Sequence, residues 1–321
     1  MPILEATYQP KGIFKSADVN TVYAATLRKV DLPAYKRERI EISDGDFLDL
    51  DWSFTSQGRS KKVVILLHGL AGSAERPYMK GMARTFNKKG WDAVAMNFRG
   101  CSEELNRFYR SYHAGASDDL AEVVTHLMAT GNYENISLAG FSLGGNMMLK
   151  YLGENRTIPE EIKSAVAISV PCDLAGSLGA INRMRNFVYS KRFELKLKEH
   201  LNARAEKFPD RISKKQVSAC KSLRDIDDLY TSKAHGFKNA DEYYEKNSCG
   251  QFLENIKIPT LIISAKDDTF LPNSAYPIKQ AGNSGYLHLE IPSCGGHVGF
   301  VLDNEEFYHE KRAIDFAMSQ L

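Results

Sequence analysis

The sequence lacks the features that mark several broad classes of protein. Its 321 residues carry a formal net charge of only +2, so no strong field favours nucleic acid as a partner. No stretch approaches the roughly 20 apolar residues of a membrane span, and the start at Met1 has no basic, then apolar, signal peptide. The five cysteines form no CxxC pair, which favours reduced thiols. We therefore expect a cytoplasmic protein that has no membrane span.

Motifs for metals and nucleotides are missing as well. The sequence has no HExxH, no paired Cys/His spacing, no Walker loop and no G-x-G-x-x-G loop. No metal and no cofactor are therefore expected. The oligomeric state has no signature in the sequence.

Short apolar runs alternate with helical patterns over most of the chain. A hairpin is predicted at Arg39–Phe54, then buried strands at 63–67, 92–97, 135–139, 164–170, 260–265 and 286–291, with helices near 78–88, 117–129 and 305–318. Strands that alternate with helices indicate a doubly wound, mostly parallel α/β sheet. Residues 1–38 show no clear pattern and are interpreted as a loosely structured N-terminal lead-in.

The gap between the strands at 164–170 and 260–265 is too long for an ordinary connection. It contains helical patterns and no convincing strand, including an amphipathic series from Phe193 to Phe208. We interpret residues 172–257 as a helical lid inserted into a core formed by 39–171 and 258–321. Ligands bind at the carboxyl edge of such sheets, and the lid is expected to cover that edge.

The segment Gly140-Phe141-Ser142-Leu143-Gly144 lies between a predicted strand and a predicted helix. A strand, then G-x-S-x-G, then a helix is the nucleophile elbow, a tight turn that exposes a serine hydroxyl above a parallel sheet. G-x-S-x-G alone is a common chance pattern, so its position carries the argument. The context predicts that Ser142 is a catalytic nucleophile.

A serine nucleophile of this kind is followed along the chain by an acid and then by a histidine. Only His288, His297 and His309 lie beyond the strand at 260–265. His288 falls inside a predicted strand and His309 inside a predicted helix. His297 lies in a glycine-containing loop directly after the last strand and is the favoured base; a surface loop histidine is the alternative.

The acid is expected in the loop after the strand at 260–265, which contains Asp267 and Asp268. Neighbouring side chains point apart, so only one of them can face the histidine. Asp268 is favoured, and Asp267 could instead brace its own turn. Asp173, which follows the preceding strand, remains a second alternative, although it could equally cap the first lid helix.

An oxyanion hole needs two backbone N–H groups. One is expected from Leu143, which follows the nucleophile. The other is expected from the loop after the first buried strand, where Leu70 is the favoured donor. His68 and His113 are more simply explained as structural histidines, and His113 also lies in the wrong order for this triad.

The motifs together resemble a known family. They are Leu67–Ser73, Asn97–Ser102, Tyr112–Gly115, Gly140–Gly145, Ala265–Asp268, Gly295–His297 and the segment from Asp228 to Tyr244. This combination resembles the α/β-hydrolase fold and, within it, the YheT-like branch, which includes bacterial hydrolases and eukaryotic ABHD-type lipid esterases. The resemblance implies a Ser142-Asp268-His297 triad and carboxylic-ester hydrolysis.

The residues and the resemblance lead to one main expectation, a serine hydrolase that cleaves acyl or lipid-like small-molecule esters through an acyl-enzyme. Acyl transfer to an alcohol by the same triad and a non-catalytic binding protein are the alternatives.

The predicted lid contains a basic stretch. From Arg183 to Arg224 there are thirteen lysines and arginines but only four acidic residues. A basic lid face could contact membrane surfaces transiently, whereas a solvated face balanced by acids elsewhere is the simpler interpretation.

Overall fold

A single nine-stranded sheet forms the centre of the computed structural model, which describes residues 3–58, 60–302 and 306–321. Its order is β1-β9-β8-β7-β6-β4-β5-β3-β2. The strands are β1 (Ile3–Leu4), β2 (Lys36–Glu41), β3 (Phe47–Ser53), β4 (Lys62–Leu67), β5 (Asp92–Asn97), β6 (Asn135–Phe141), β7 (Ile162–Ile168), β8 (Thr260–Ile263) and β9 (Leu287–Glu290). The β2–β3 and β3–β5 pairs are antiparallel and the other pairs are parallel. The predicted mostly parallel sheet, with its hairpin at one edge, is confirmed.

Twelve α-helices are present in the described part of the chain. They are α1 (Ala17–Val22), α2 (Pro77–Lys88), α3 (Ser117–Thr130), α4 (Leu143–Gly153), α5 (Leu174–Ile181), α6 (Phe187–Lys207), α7 (Lys214–Ala219), α8 (Leu223–Ile226), α9 (Ser232–Ala234), α10 (Ala240–Asn247), α11 (Ile278–Asn283) and α12 (Tyr308–Ser319). Helices α3 and α4 contribute to the core on one face of the sheet, and α2 and α12 to the core on the other.

The core follows from the apolar pattern of the central strands. Residues 63–67 of β4 are fully buried, since helices cover both faces of the sheet. Alternate side chains of β4 enter opposite cores: Val63 and Ile65 lie in one, Val64 and Leu66 in the other. Helix α2 buries Met79, Met82, Ala83 and Phe86, which recur at helical spacing on one side.

The strand order places two loops side by side. Strand β4 pairs with both β5 and β6, so the chain turns one way after β4 and the other way after β6. Such a reversal leaves a crevice at the carboxyl ends of the strands, where ligands bind in open α/β sheets. The loop after β4 and the turn after β6 both lie at this crevice.

Residues 169–259, all described, contain helices α5 to α10 and no strand. The amphipathic series predicted from Phe193 to Phe208 lies in α6 except for its last member, Phe208, which is the C-cap residue of that helix. Helix α6 buries Leu201 and Ala205 in a small cluster with Ile212, Val217 and other side chains of the same segment. The segment therefore has a core of its own beside the sheet.

For the described residues 3–38, the expectation of a loosely structured lead-in is wrong. Strand β1 pairs with β9, and α1 continues directly into a π-helical turn at Tyr23–Leu27. The Tyr8 hydroxyl donates a hydrogen bond to the Val301 carbonyl at 3.0 Å, which ties the segment to the far end of the chain. These elements are too short to show a helical or strand periodicity in the sequence. Contacts with distant residues stabilise them instead.

Two details concern residues outside the described ranges. The predicted start of the terminal helix, Glu305, lies outside them, and α12 begins at Tyr308. The first residues of the chain, Met1 and Pro2, also lie outside. Within the described ranges, no helix combines the length and the apolar character that crossing a membrane requires.

The N-terminal segment is also tied to α12 by a buried ion pair. The Arg28 Nη2 donates to Glu310 Oε2 at 2.8 Å, and both side chains are almost completely buried. Burial raises the pKa of Glu310, and the arginine opposes that rise. An isolated buried charge is costly, so each partner depends on the other.

We expect Arg28→Ala to lower the free energy of unfolding by about 3–5 kcal/mol, because it leaves Glu310 buried without this cation. Urea denaturation followed by circular dichroism measures the change. Arg185→Ala is the matched control: its pair with Asp18 is exposed, so a loss below about 1 kcal/mol is expected. Equal losses in the two variants would contradict this account.

Candidate active site

Ser142 stands on a strained turn between β6 and α4. Its φ of 49° and ψ of −118° lie in a region that residues other than glycine rarely adopt. Such strain costs about 1–3 kcal/mol and persists only where the surrounding structure enforces it. The turn lifts the serine hydroxyl clear of the strand, as the elbow motif predicts.

Three glycines let the backbones around this turn approach one another. A Cβ on Gly144 would lie 2.5 Å from the carbonyl oxygens of both Leu67 and His68. A Cβ on Gly140 would lie 2.7 Å from the Gly144 oxygen, and one on Gly145 would lie 2.5 Å from a Val170 methyl group. The glycines are needed for close packing, and the strained φ falls on the serine itself.

The structure brings Ser142, His297 and Asp268 together in one chain of hydrogen bonds. The His297 Nε2 lies 2.9 Å from Ser142 Oγ, and the His297 Nδ1 lies 2.8 Å from Asp268 Oδ2. Asp268 is buried, and its other carboxylate oxygen accepts a hydrogen bond from the Phe270 amide at 2.9 Å. The three residues that the sequence favoured are therefore within direct reach of one another.

The two other candidate acids have different partners. Asp267 Oδ1 accepts a hydrogen bond from the Gly296 amide at 2.9 Å, and burial raises the pKa of Asp267. Asp173 is the N-cap of α5, where its Oδ1 accepts from the Gly176 amide at 2.9 Å. Asp267 thus braces the histidine loop, and Asp173 caps the helix as the alternative interpretation expected.

The remaining candidate histidines have structural surroundings. The His68 Nδ1 donates to the Gly69 carbonyl at 2.8 Å, and the ring accepts from the Phe98 amide at Nε2. Complete burial lowers the pKa of His68 to about 3, so the ring is neutral. Burial also lowers the pKa of His113 and His309 well below the usual range.

The loop after β4 holds Leu70 between two anchored neighbours. The Gly69 amide donates to the Tyr78 hydroxyl at 3.1 Å, and the Ala71 amide donates to the Tyr112 hydroxyl at 2.9 Å. A Cβ on Gly69 would lie 3.4 Å from Ser142 Cβ, so this loop runs directly beside the serine.

Leu143 is the first residue of α4. First-turn amides have no acceptor inside their own helix, and a helix N-terminus favours negative charge. The position of Leu70 and Leu143 fits their predicted role as oxyanion donors.

Several residues that support the site carry no signal in the sequence. The Thr21 hydroxyl accepts a hydrogen bond from the His297 amide at 2.9 Å, although 276 residues separate them. The Phe270 ring lies against the imidazole, with 4.5 Å between ring centroids. The Ser169 hydroxyl accepts from the Val298 amide at 2.9 Å. Only the tertiary structure brings these groups to the histidine loop.

Two cavities meet at the serine. The larger has a volume of about 300 Å³ and extends between α6 and the N-terminal segment. The smaller, of about 120 Å³, extends toward α5 and α10 and is lined mainly by apolar side chains. Both are lined by Leu70, Ser142, Phe193, Phe270 and His297. A molecule with its reacting atom at Ser142 can therefore extend in two directions.

The chain is similar in sequence and in fold to known proteins. Residues 62–303 match the family described as alpha/beta hydrolase fold. The chain is 33% identical to "Putative esterase YheT" of Escherichia coli, over 98% of this chain and 94% of that protein. The chain belongs to the α/β-hydrolase fold family.

Further relatives agree with this assignment. The hydrolase is 27% identical to phospholipase ABHD3 of Bos taurus, over 94% of this chain and 74% of that protein. It is 31% identical to a monoacylglycerol lipase of Saccharomyces cerevisiae, over 76% of this chain and 56% of that protein. Esterase Pf2001 of Pyrococcus furiosus has a similar fold, with a TM-score of 0.60 and 20% identity over 91% of this chain and 98% of that one. The sequence relatives support a YheT/ABHD-like hydrolase, and the solved structure supports the fold.

We expect Gly144→Ala to prevent formation of the elbow, because the new methyl group would meet two backbone carbonyls that cannot move aside. A fall in melting temperature of several degrees or a loss of soluble protein should follow. Gly179→Ala is the matched control: it lies inside α5 with nothing within 4 Å of its Cβ position. It should leave the melting temperature unchanged or raise it slightly. Equal behaviour of the two variants would refute the packing argument.

Proposed function

We propose that this hydrolase cleaves carboxylic esters through an acyl-enzyme intermediate, with Ser142 as nucleophile, His297 as general base and Asp268 as the orienting acid. The observation that carries the proposal is the unbroken hydrogen-bond chain from Ser142 Oγ to the Asp268 carboxylate. Relatives named as an esterase, a phospholipase and a lipase support ester bonds as the target.

The first half of the reaction begins at the serine hydroxyl, which is a poor nucleophile until a base removes its proton. His297 Nε2 takes that proton as Oγ attacks the ester carbonyl carbon. Asp268 holds the ring with Nε2 toward the serine and stabilises the imidazolium that forms. The imidazolium then returns the proton to the alkoxy oxygen, the alcohol leaves, and the acyl group stays on Ser142.

The second half repeats these steps with water. His297 takes a proton from water, and the resulting oxygen nucleophile attacks the acyl carbon. The proton returns to Ser142 Oγ and the carboxylic acid is released. In both halves, the Leu70 and Leu143 amides would stabilise the negative charge on the carbonyl oxygen, and one such donor is worth about 3 kcal/mol in comparable sites.

The cavities support small acyl or lipid-like esters as substrates, because apolar side chains dominate the walls beside the serine. Residues 172–257 would act as the lid, since Val188, Tyr189 and Phe193 of α6 line the larger cavity. Opening this segment would admit the ester, and closing it would exclude water from the acyl-enzyme.

Acidic side chains pair with several of the lysines and arginines in the basic stretch of the lid. Lys191 and Lys198 both pair with Glu194, and Arg224 pairs with Asp241. These pairs weaken the electrostatic case for contact with membranes, so the transient membrane-surface contact stays a prediction.

We expect the wild-type protein to hydrolyse 4-nitrophenyl butyrate and to be labelled by a fluorophosphonate probe at Ser142. Ser142→Ala should lose both properties, with hydrolysis reduced by roughly a factor of 10³ or more. Release of nitrophenolate and mass spectrometry of the labelled peptide provide the measurements. Turnover that survives in Ser142→Ala would rule out this nucleophile, and a wild-type protein inert to both reagents would favour a non-catalytic binding protein.

We expect Asp268→Asn to reduce kcat about 10⁴-fold, because an amide in place of the carboxylate favours the wrong imidazole tautomer. Asp173→Asn is the control: asparagine also caps helices well, so kcat should change little. Initial rates with one nitrophenyl ester compare the two variants, and melting curves show whether both are folded. If Asp173→Asn alone abolishes turnover, the assignment of the acid is wrong.

A further inference from the structure

Three cationic side chains line the larger of the two cavities at Ser142. They are Arg76, Arg192 and Lys196, and no aspartate or glutamate is among the described residues that line the same cavity. A cavity that binds a neutral ester needs no such concentration of positive charge. The charges therefore require an explanation beyond ester hydrolysis itself.

The three cations come from two elements on either side of the cavity. Arg76 is the N-cap of α2, and its Nη2 donates to the Ala71 carbonyl at 2.8 Å. This hydrogen bond anchors the guanidinium beside the loop that carries Leu70. Arg192 and Lys196 are four residues apart on α6, so they lie on the same side of that helix, one turn apart.

Like charges held this close repel one another. Burial lowers the pKa of Lys196, and the positive charges of Arg76 and Arg192 lower it further, against a smaller opposing effect from Glu199. Elsewhere on α6, the cations Lys191 and Lys198 are both paired with Glu194, at 2.9 and 2.8 Å. The cavity cations have no such carboxylate on the cavity wall, so an anion that entered would relieve the repulsion.

The remaining lining of the larger cavity is largely apolar. Val22 and Ala25 come from the N-terminal segment, and Val188, Tyr189 and Phe193 come from α6. An apolar spacer suits this wall, whereas an anionic group suits the cationic part of the cavity. The arrangement matches a molecule that carries an ester bond, an apolar portion and a negative charge.

We infer that Arg76, Arg192 and Lys196 bind an anionic group, a carboxylate or a phosphate, on the part of the ester substrate that occupies the larger cavity. The inference rests on the proposed function for the position of the ester bond at Ser142. The remainder of the substrate would occupy the smaller cavity, which also reaches Ser142 and His297. Arginine and lysine both suit these anions, and arginine can hold them with two parallel hydrogen bonds.

Two pairs of matched esters test the inference, and they separate the two possible positions of the anion. In the first pair, mono-4-nitrophenyl suberate carries a carboxylate at the end of its acyl chain, and its methyl ester is the neutral counterpart. In the second pair, 1-butyryl-glycerol 3-phosphate carries a phosphate on the alcohol part, and 1-butyryl-glycerol is neutral. For each pair, the measured quantity is the ratio of kcat/KM for the anionic ester to kcat/KM for the neutral one.

For the wild-type protein, we expect this ratio to exceed one for at least one pair. In the double variant Arg192→Gln/Lys196→Gln the ratio should fall about tenfold or more, because hydrogen bonds to charged groups are lost. The pair that responds identifies a carboxylate on the acyl part or a phosphate on the alcohol part. Raising the salt concentration should reduce the wild-type ratio. Ratios that the double variant leaves unchanged in both pairs would overturn the inference.

Lys191→Gln is the matched control, because it removes one charge from the same helix outside the cavity lining. It should leave the ratio unchanged. Arg192→Lys should retain most of the preference, since a cation remains at the same place.

Binding separates failure of this inference from failure of the proposed function. Titration calorimetry with the intact suberate monoester and with the intact glycerol phosphate ester uses Ser142→Ala as the parent protein. If the cations bind the anion, adding Arg192→Gln and Lys196→Gln weakens the affinity for one of the two about tenfold. An unchanged affinity for both refutes the anion site. If the affinity is weakened but the wild-type protein hydrolyses none of the four esters, the anion site stands and only the catalytic proposal is refuted.

Discussion

The close approach of backbones at the turn after β6 is the constraint on which the site depends. Gly144 lets α4 begin against the carbonyls of Leu67 and His68, the last residue of β4 and the first residue after it. The close packing around the turn holds Ser142 at its positive φ. The same packing brings the loop with Leu70 beside the serine. It therefore positions both the nucleophile and its predicted oxyanion donors.

The histidine is held from several directions by segments far apart in the chain. Asp268 contacts one ring nitrogen, and Asp267 and Thr21 hold the backbone at Gly296 and His297. The N-terminal segment that supplies Thr21 is itself fixed by the buried pair of Arg28 with Glu310. The buried ion pair near the two ends of the chain therefore helps to fix the position of His297, the proposed base.

Helix α6 combines two roles in the proposed mechanism. Its apolar side chains form walls of both cavities, which suits acyl or lipid-like groups. Its charges are sorted by position: some pair with acids on the same helix, and Arg192 and Lys196 face the larger cavity. Helix α6 would therefore select substrates both by apolar contacts and by its positive charges.

The alternation of buried strands with helices was readable from the sequence because each central strand is apolar on both faces, and the order of Ser142, Asp268 and His297 followed from the loops after those strands. The sequence could not reveal Thr21, because hydrogen bonds between distant residues leave no local pattern. It also could not choose firmly among Asp268, Asp267 and Asp173, which all follow strands. Only the packed sheet brings Asp268 within 2.8 Å of the imidazole, because the distance between neighbouring loops is decided by how strands pair.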